Sequence, residues 1–228
     1  MKYLIILAGL MAGINTAFAD DELRYNQVRL QSQQTEAVSN DTMHVTMNTY
    51  AEMQAPAKLA AKINKDMDWA LQQARQVKQV KVSTGSYQTW PITRKEVTTG
   101  WRGQQDLVME SGDTEALSRL VGQLQGRLQI KSMNFTVSDK KRTGVENRLI
   151  GAALDAFKQR AGIIGDNLKA SGFRIVEINI NTSSQRPPMM RQARVASMSM
   201  EAGDAVAVEG GESKVSVTVN GTIELQIP

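Results

Sequence analysis

Residues 215–227 read VSVTVNGTIELQI, and the way this stretch is paired decides the fold. Asn220-Gly221 is a strong signal for a two-residue hairpin turn. Yet Val215, Val217, Val219, Ile223, Leu225 and Ile227 all carry odd numbers. A turn closed at 220–221 would set Val217 opposite Glu224 and mix apolar with charged side chains on one face. One unbroken strand keeps every apolar residue on one side, because strand side chains alternate with a period of two. The spacing therefore predicts a single long strand. Gly221 falls on its apolar face, as a bulge or as a point where another group comes close.

Upstream of it, residues 184–213 hold Pro187-Pro188, Gly203 and Gly210-Gly211 among many Ala, Ser and Met. They read as a long excursion between two strands, the earlier strand lying near 174–182. Before that comes a long helix. Thr143-Gly144-Val145-Glu146 has the form of a capping box, and Gly172 suits its C-terminal end after Ser171. Ile150, Ala153, Phe157, Ala161, Ile164 and Leu168 repeat at spacings of three and four, with Leu149, Ala152 and Ala156 beside them. That predicts a helix covered over more than one face. Gly151, Gly162 and Gly165 inside it point to close packing or to a break near Gly162.

The first half alternates strands with two shorter helices. Met43, Val45, Met47, Thr49 and Ala51 alternate with His44, Thr46, Asn48, Tyr50 and Glu52, a half-buried strand. Pro56 starts a helix whose stripe is Leu59, Ile63, Met67, Ala70, Ala74 and Val77. Asp113 caps another, with Leu117, Leu120, Val121 and Leu124 as its stripe. Segments near 24–37, 80–90, 101–110 and 128–138 read as further strands, and Ser39-Asn40-Asp41 as the turn between the first two. The fold class is α+β. A ferredoxin-like βαββαβ core is expected at about 42–138. A second small α/β layer is expected from the first strand (24–37), the long third helix and the last two strands, together spanning 143–227.

Composition excludes several chemistries. There is no Cys and a single His in 228 residues. Disulfide scaffolds, thiolate metal sites and cysteine nucleophiles are out, and a triad or imidazole metal site would have to use His44. Residues 1–19 read as a secretory signal: Lys2 is the charged start, Leu4 to Ile14 the apolar stretch, and Ala17-Phe18-Ala19 the cleavage form. Residues 20–228 are then the mature protein. Without Lys2 it carries 26 of the 27 Lys and Arg against 23 acids, so the formal charge falls from +4 to +3. Such a spread of charge predicts no nucleic-acid partner, and Lys140-Lys141-Arg142 reads as a solvated turn before a helix. No later segment has the run of about 20 apolar residues that a membrane-spanning helix needs. The expected location is the periplasm.

The ordered set of segments resembles the SIMPL-domain family of exported bacterial proteins, which includes periplasmic immunogens and oxidative-stress-defence proteins. The similarity lies in Asp41 to Met47, in Thr99-Gly100-Trp101-Arg102-Gly103 followed by Gln104 to Met109, and in Leu168 to Gly172 followed by Ile175 to Ile178. It continues in the Pro- and Met-containing loop at 187–200, in Ser216 to Val219 and in Ile223 to Leu225. The resemblance implies a periplasmic location, ring-like or channel-like homo-oligomers and a link to envelope stress. It brings no catalytic residue set.

The residues themselves point to no catalytic or cofactor-binding group. His44 lies on the polar face of its strand with no second His at metal-ligand spacing. Asp66 and Asp68 are two apart on a helix and are expected to face solvent. Trp90, Trp101 and Tyr87 gather around Pro91, where hairpin or core packing is the expected role and an aromatic platform for a glycan or envelope protein the functional one. Arg102, beside Trp101, is expected in a salt bridge. Trp90, Trp101 and Arg102 together form the candidate interaction surface. Met189, Met190, Met198 and Met200 are soft ligands that suit Cu(I), and methionine is also reversibly oxidised. Adaptable packing is the expected role for them. The function these readings favour is a non-enzymatic, homo-oligomeric interaction module linked to envelope or oxidative stress. A periplasmic enzyme built on fold-assembled carboxylates and a methionine-based copper or redox protein are the alternatives.

Overall fold

The computed structural model describes residues 25–185 and 210–227. The signal-like segment 1–19, the four methionines at 189, 190, 198 and 200, and most of the 184–213 excursion lie outside the described residues. The elements run β1 (Gln27–Ser39), β2 (Thr42–Met53), α1 (Pro56–Gln76), β3 (Lys81–Arg94), β4 (Val97–Ser111), α2 (Thr114–Leu124), β5 (Gln129–Thr136), α3 (Asp139–Asn167), β6 (Gly172–Gln185) and β7 (Glu212–Gln226). They form a four-stranded sheet of order β3-β4-β2-β5 and a three-stranded sheet of order β1-β7-β6. Every pairing is antiparallel. The class is α+β, and the larger sheet has the split βαβ order of a ferredoxin-like unit.

In the larger sheet, Met43, Val45 and Met47 of β2 and Leu107 and Met109 of β4 face Met67, Ala70 and Ala74 of α1 and Leu117, Leu120 and Leu124 of α2. Pro56 opens α1, and Asp113 caps α2 by accepting from the Ala116 N–H at 2.9 Å. Asp66 corrects the expectation of solvent exposure. It stands three residues after Ile63 and four before Ala70, on the apolar stripe itself, and is buried. Thr49 Oγ1 donates to it at 3.4 Å, and Lys62 reaches it from one turn earlier.

β7 is one continuous strand in the middle of the smaller sheet, with Val215, Val217, Val219, Ile223 and Leu225 buried against α3. Gly221 is a close-approach point. A Cβ there would lie 2.6 Å from the Glu177 carbonyl oxygen and 2.8 Å from the Phe157 ring. The register shift sits across from it, between Ile175 and Glu177 of β6.

α3 departs from expectation in three ways. It starts at Asp139, with Ser138 as N-cap, so Lys140-Lys141-Arg142 belongs to its first turn and Thr143 is interior. It ends at Asn167; Lys169 takes the left-handed conformation at φ 57°, and Gly172 opens β6. Its buried residues are a single stripe: Val145, Leu149, Ala153, Phe157, Ala161 and Gly165. Ala152 is exposed, and a Cβ on Gly151 or Gly162 would meet nothing within 4 Å. Those two glycines neither pack closely nor break the helix.

The earlier start of α3 has a tertiary cause. Asp41, in the turn between the two sheets, accepts from the Ser138 N–H at 2.6 Å and from its hydroxyl at 2.8 Å, while the hydroxyl accepts from the Lys141 N–H at 3.4 Å. Asn40 holds the start of β7 through Gly210 and Ser213. Burial pushes the Asp41 carboxyl up, but the bonds from Ser138 and Thr42 and the Lys141 charge outweigh it and hold the pKa below the ordinary value. A depressed carboxylate contributes stability that is complete above the unfolded value, about 3.9, and is lost as pH falls through the folded one. Asp41→Asn is therefore expected to destabilise at neutral pH, with its deficit against wild type shrinking below about pH 4. Urea midpoints across that range check the sign. A deficit constant with pH would contradict it.

Candidate functional site

α1 and α2 pack on one face of the larger sheet, and among the described residues no helix lies across its second face. Its residues are the even-numbered positions of β2 and β4, set side by side by the register: His44 opposite Glu110, Thr46 opposite Val108, Asn48 opposite Asp106, Tyr50 opposite Gln104, Glu52 opposite Arg102. β3 continues the rows with Lys81 beside Glu110, Gln88 beside Gln104 and Trp90 beside Arg102. The open face is thus a grid of polar and aromatic side chains, because the odd positions of the same strands are spent on the core.

At one end of the grid, His44 Nε2 is 2.8 Å from Thr136 Oγ1 and its Nδ1 is 3.8 Å from Glu110. Lys81 Nζ pairs with Glu110 at 3.2 Å. The first turn of α3 and the start of β7 wall this end into a cleft of about 600 Å³. In the middle, Asp106 is only 7% exposed. Its Oδ2 accepts from Lys131 at 2.7 Å and from Ser86 at 3.3 Å, while Oδ1 is buried with no hydrogen-bond partner. Lys131 reaches it because the β2–β5 register shifts at that level. Ser86 does so from the β3 bulge.

The other end is a recess of about 530 Å³ lined by Tyr50, Trp90, Pro91, Ile92, Arg102 and Gln104. Arg102 Nε donates to Glu52 Oε1 at 2.7 Å, a second guanidinium nitrogen lies at the same distance, and the Tyr50 hydroxyl donates to the same oxygen. The guanidinium stands 5.8 Å above the Tyr50 ring. The Tyr50 hydroxyl and then Arg102 hold the Glu52 carboxyl below its usual range, and Glu52 in turn raises both Arg102 and Tyr50. Arg102 has the expected salt bridge. Trp90 and Tyr50 are 41% and 43% exposed, so the aromatic end is not folded into the core.

Trp101 does not join this surface. It precedes Arg102 by one residue, so the strand's alternation turns it to the other face, and it lies opposite Met53 and Pro91, on the helix-bearing side. Tyr87, opposite Gln105, lies on that side too. The three residues of the expected surface are therefore split: Trp90 and Arg102 share the open face, with Tyr50, Glu52, Gln88 and Gln104 as partners that the sequence reading did not single out. The parity of β2 already placed Tyr50 and Glu52 on the polar face. Their meeting with Arg102 depends on the β2–β4 register. Among the described residues, no three His, Asp or Glu are grouped so as to hold a metal ion, and no helix is long and apolar enough to cross a membrane.

Comparison with solved structures finds partial likenesses. The de novo designed protein Foldit4 is 13% identical, with 42% of this chain and 98% of that one covered and a TM-score of 0.27. A putative amidohydrolase/peptidase from Burkholderia cenocepacia is 12% identical, with 47% of this chain and 31% of that one covered and a TM-score of 0.28. Neither likeness is close enough to bear on function. No curated protein matches the chain. The model of the SIMPL family, described as proteins of unknown function (DUF541), matches residues 28–223, which is nearly all of β1 to β7. The chain belongs to the SIMPL family.

Proposed function

We propose that this protein is a non-enzymatic interaction and assembly module of the periplasm, supporting tolerance of envelope or oxidative stress. The observation that carries the reading is the state of the open face. Its charged groups are used on one another (Glu52 with Arg102, Asp106 with Lys131, Glu110 with Lys81), while its aromatic end faces solvent. Groups neutralised in pairs suit recognition better than proton transfer, which needs an acid or base free to change state. The signal-like segment and the SIMPL family's exported members support the location and the stress link.

Assembly draws on the smaller sheet. α3 buries a single stripe on its own sheet and leaves Ile163 exposed on its outer side. The helix lies over β1 and β7 and touches the edge strand β6 less. Ile175 and Ile180 of β6, on the helix-bearing side, stay 38% and 40% exposed, and Val176 at the bulge 41%. An edge strand with apolar side chains is a template for pairing with another chain, and here a second copy is the partner. Light scattering at micromolar concentration and physiological salt is expected to give a multi-subunit mass. Ile180→Asp is expected to shift the protein to monomer without unfolding it. A wild type that is a clean monomer overturns the assembly reading. Robust turnover of a cell-wall substrate, abolished by one acidic substitution, overturns the non-enzymatic one.

A further inference from the structure

We propose that the recess at the Trp90 end of the open face binds an uncharged, flat, β-linked oligosaccharide carrying N-acetyl groups. The proposal rests on the reading of this face as a recognition surface and names its ligand. Charge comes first. Arg102 is the one charged side chain that lines the recess, and it is spent on Glu52 beside it: Nε donates to Glu52 Oε1 at 2.7 Å and a second guanidinium nitrogen lies at the same distance. An anionic ligand would have to take Arg102 from Glu52. A cationic one would have to displace the guanidinium that stands over the Tyr50 ring at 5.8 Å. A neutral ligand does neither.

The remaining features select among neutral ligands. The Trp90 and Tyr50 side chains are amphipathic and half in water, a state that large aromatics leave when a ligand covers them. Beside them, Gln104 Nε2 donates to Gln88 Oε1 at 3.5 Å, the long limit of a hydrogen bond. Each amide offers both donors and an acceptor, which matches hydroxyl and acetamido groups. These side chains lie in two adjacent rows of one sheet, Glu52–Arg102–Trp90 and Tyr50–Gln104–Gln88. A β-1,4-linked sugar chain is itself a flat ribbon, with axial C–H bonds on its faces and polar groups along its edges. It can lay a face on the rings while its edges meet the amides. The recess, about 530 Å³, falls in the usual range of small-ligand sites, about 300–1,000 Å³.

Calorimetric titration of the purified protein with chitotetraose tests this, with maltotetraose and a proline-rich decapeptide as comparison probes. Chitotetraose is expected to bind saturably, with an affinity indifferent to salt because no counter-charge is engaged. Trp90→Ala is expected to weaken it at least about tenfold, and Trp90→Tyr to restore most of the loss. Trp90 is exposed on an edge strand, so an unchanged thermal midpoint will separate lost binding from lost fold. No saturation up to about 10 mM chitotetraose, equal affinity in wild type and Trp90→Ala, or binding of the peptide alone overturns the proposal. Light scattering on the same samples keeps the two readings apart. Intact assembly without sugar binding rejects the ligand and leaves the module; a monomer that binds sugar rejects the assembly and leaves the ligand.

Discussion

Phe157→Ala is expected to cost about 3–5 kcal/mol of unfolding free energy. Phe157 is among the largest fully buried side chains of the protein. It is the one aromatic on the buried stripe of α3, between Ala153 and Ala161. With small residues one turn away on either side, its ring fills the space between helix and sheet, and neighbours that short cannot close over a cavity. The rim of this core is only partly buried, Val28, Leu30, Ile164 and Phe173 among it, so little else can compensate. Urea unfolding measures the loss. Amides of β1, β7 and β6 should lose exchange protection before those of the larger sheet, whose core shares no buried residue with this one. A loss under about 1 kcal/mol would mean that the ring is not the keystone of the smaller core.

Gly221→Ala is expected to be the most damaging glycine-to-alanine change among the described residues. Gly221 is in an extended strand; the positive φ among described glycines belongs to Gly211. The demand at 221 is therefore for room. A new Cβ would meet the Glu177 carbonyl oxygen at 2.6 Å and the Phe157 ring at 2.8 Å. The ring can shift; the backbone carbonyl can move only if the β6 bulge moves with it. Overpacking of this kind costs about 1–3 kcal/mol and sometimes more. The two predictions are coupled. In a Phe157→Ala background the methyl at 221 should cost less, because one of its two obstacles is gone, yet it should still cost something against Glu177. A double-mutant cycle is expected to return a coupling of about 0.5–3 kcal/mol. Strict additivity would show that Phe157 and Gly221 do not share the contact the geometry gives them.

Several features were legible because their signal repeats along the chain. The odd-number parity of Val215 to Leu225 is a vote cast by many residues for one strand with one apolar face, and β7 obeys it over its full length. The same summation made α1, α2 and the βαββαβ order readable, and it placed Tyr50 and Glu52 on the polar side of β2. Asp66 was legible in principle: its spacing from Ile63 and Ala70 put it on the stripe, whatever its charge.

What the tertiary structure alone decided rests on single contacts between residues far apart in sequence. The start of α3 moved from Thr143 to Asp139 because Asp41, 97 residues away, holds Ser138, and a local capping box could not outbid that. The separation of Trp101 from Trp90 follows from the pairing of β3 with β4, which lays Trp90 beside Arg102 and Trp101 beside Pro91. The burial of Asp106 under Lys131 needs two irregularities on different strands to coincide. Periodicity tells a chain which side of each element is apolar. It carries no information about which partner arrives on the other side, because that is set by register and by the packing of whole sheets, where one residue of slip changes every neighbour.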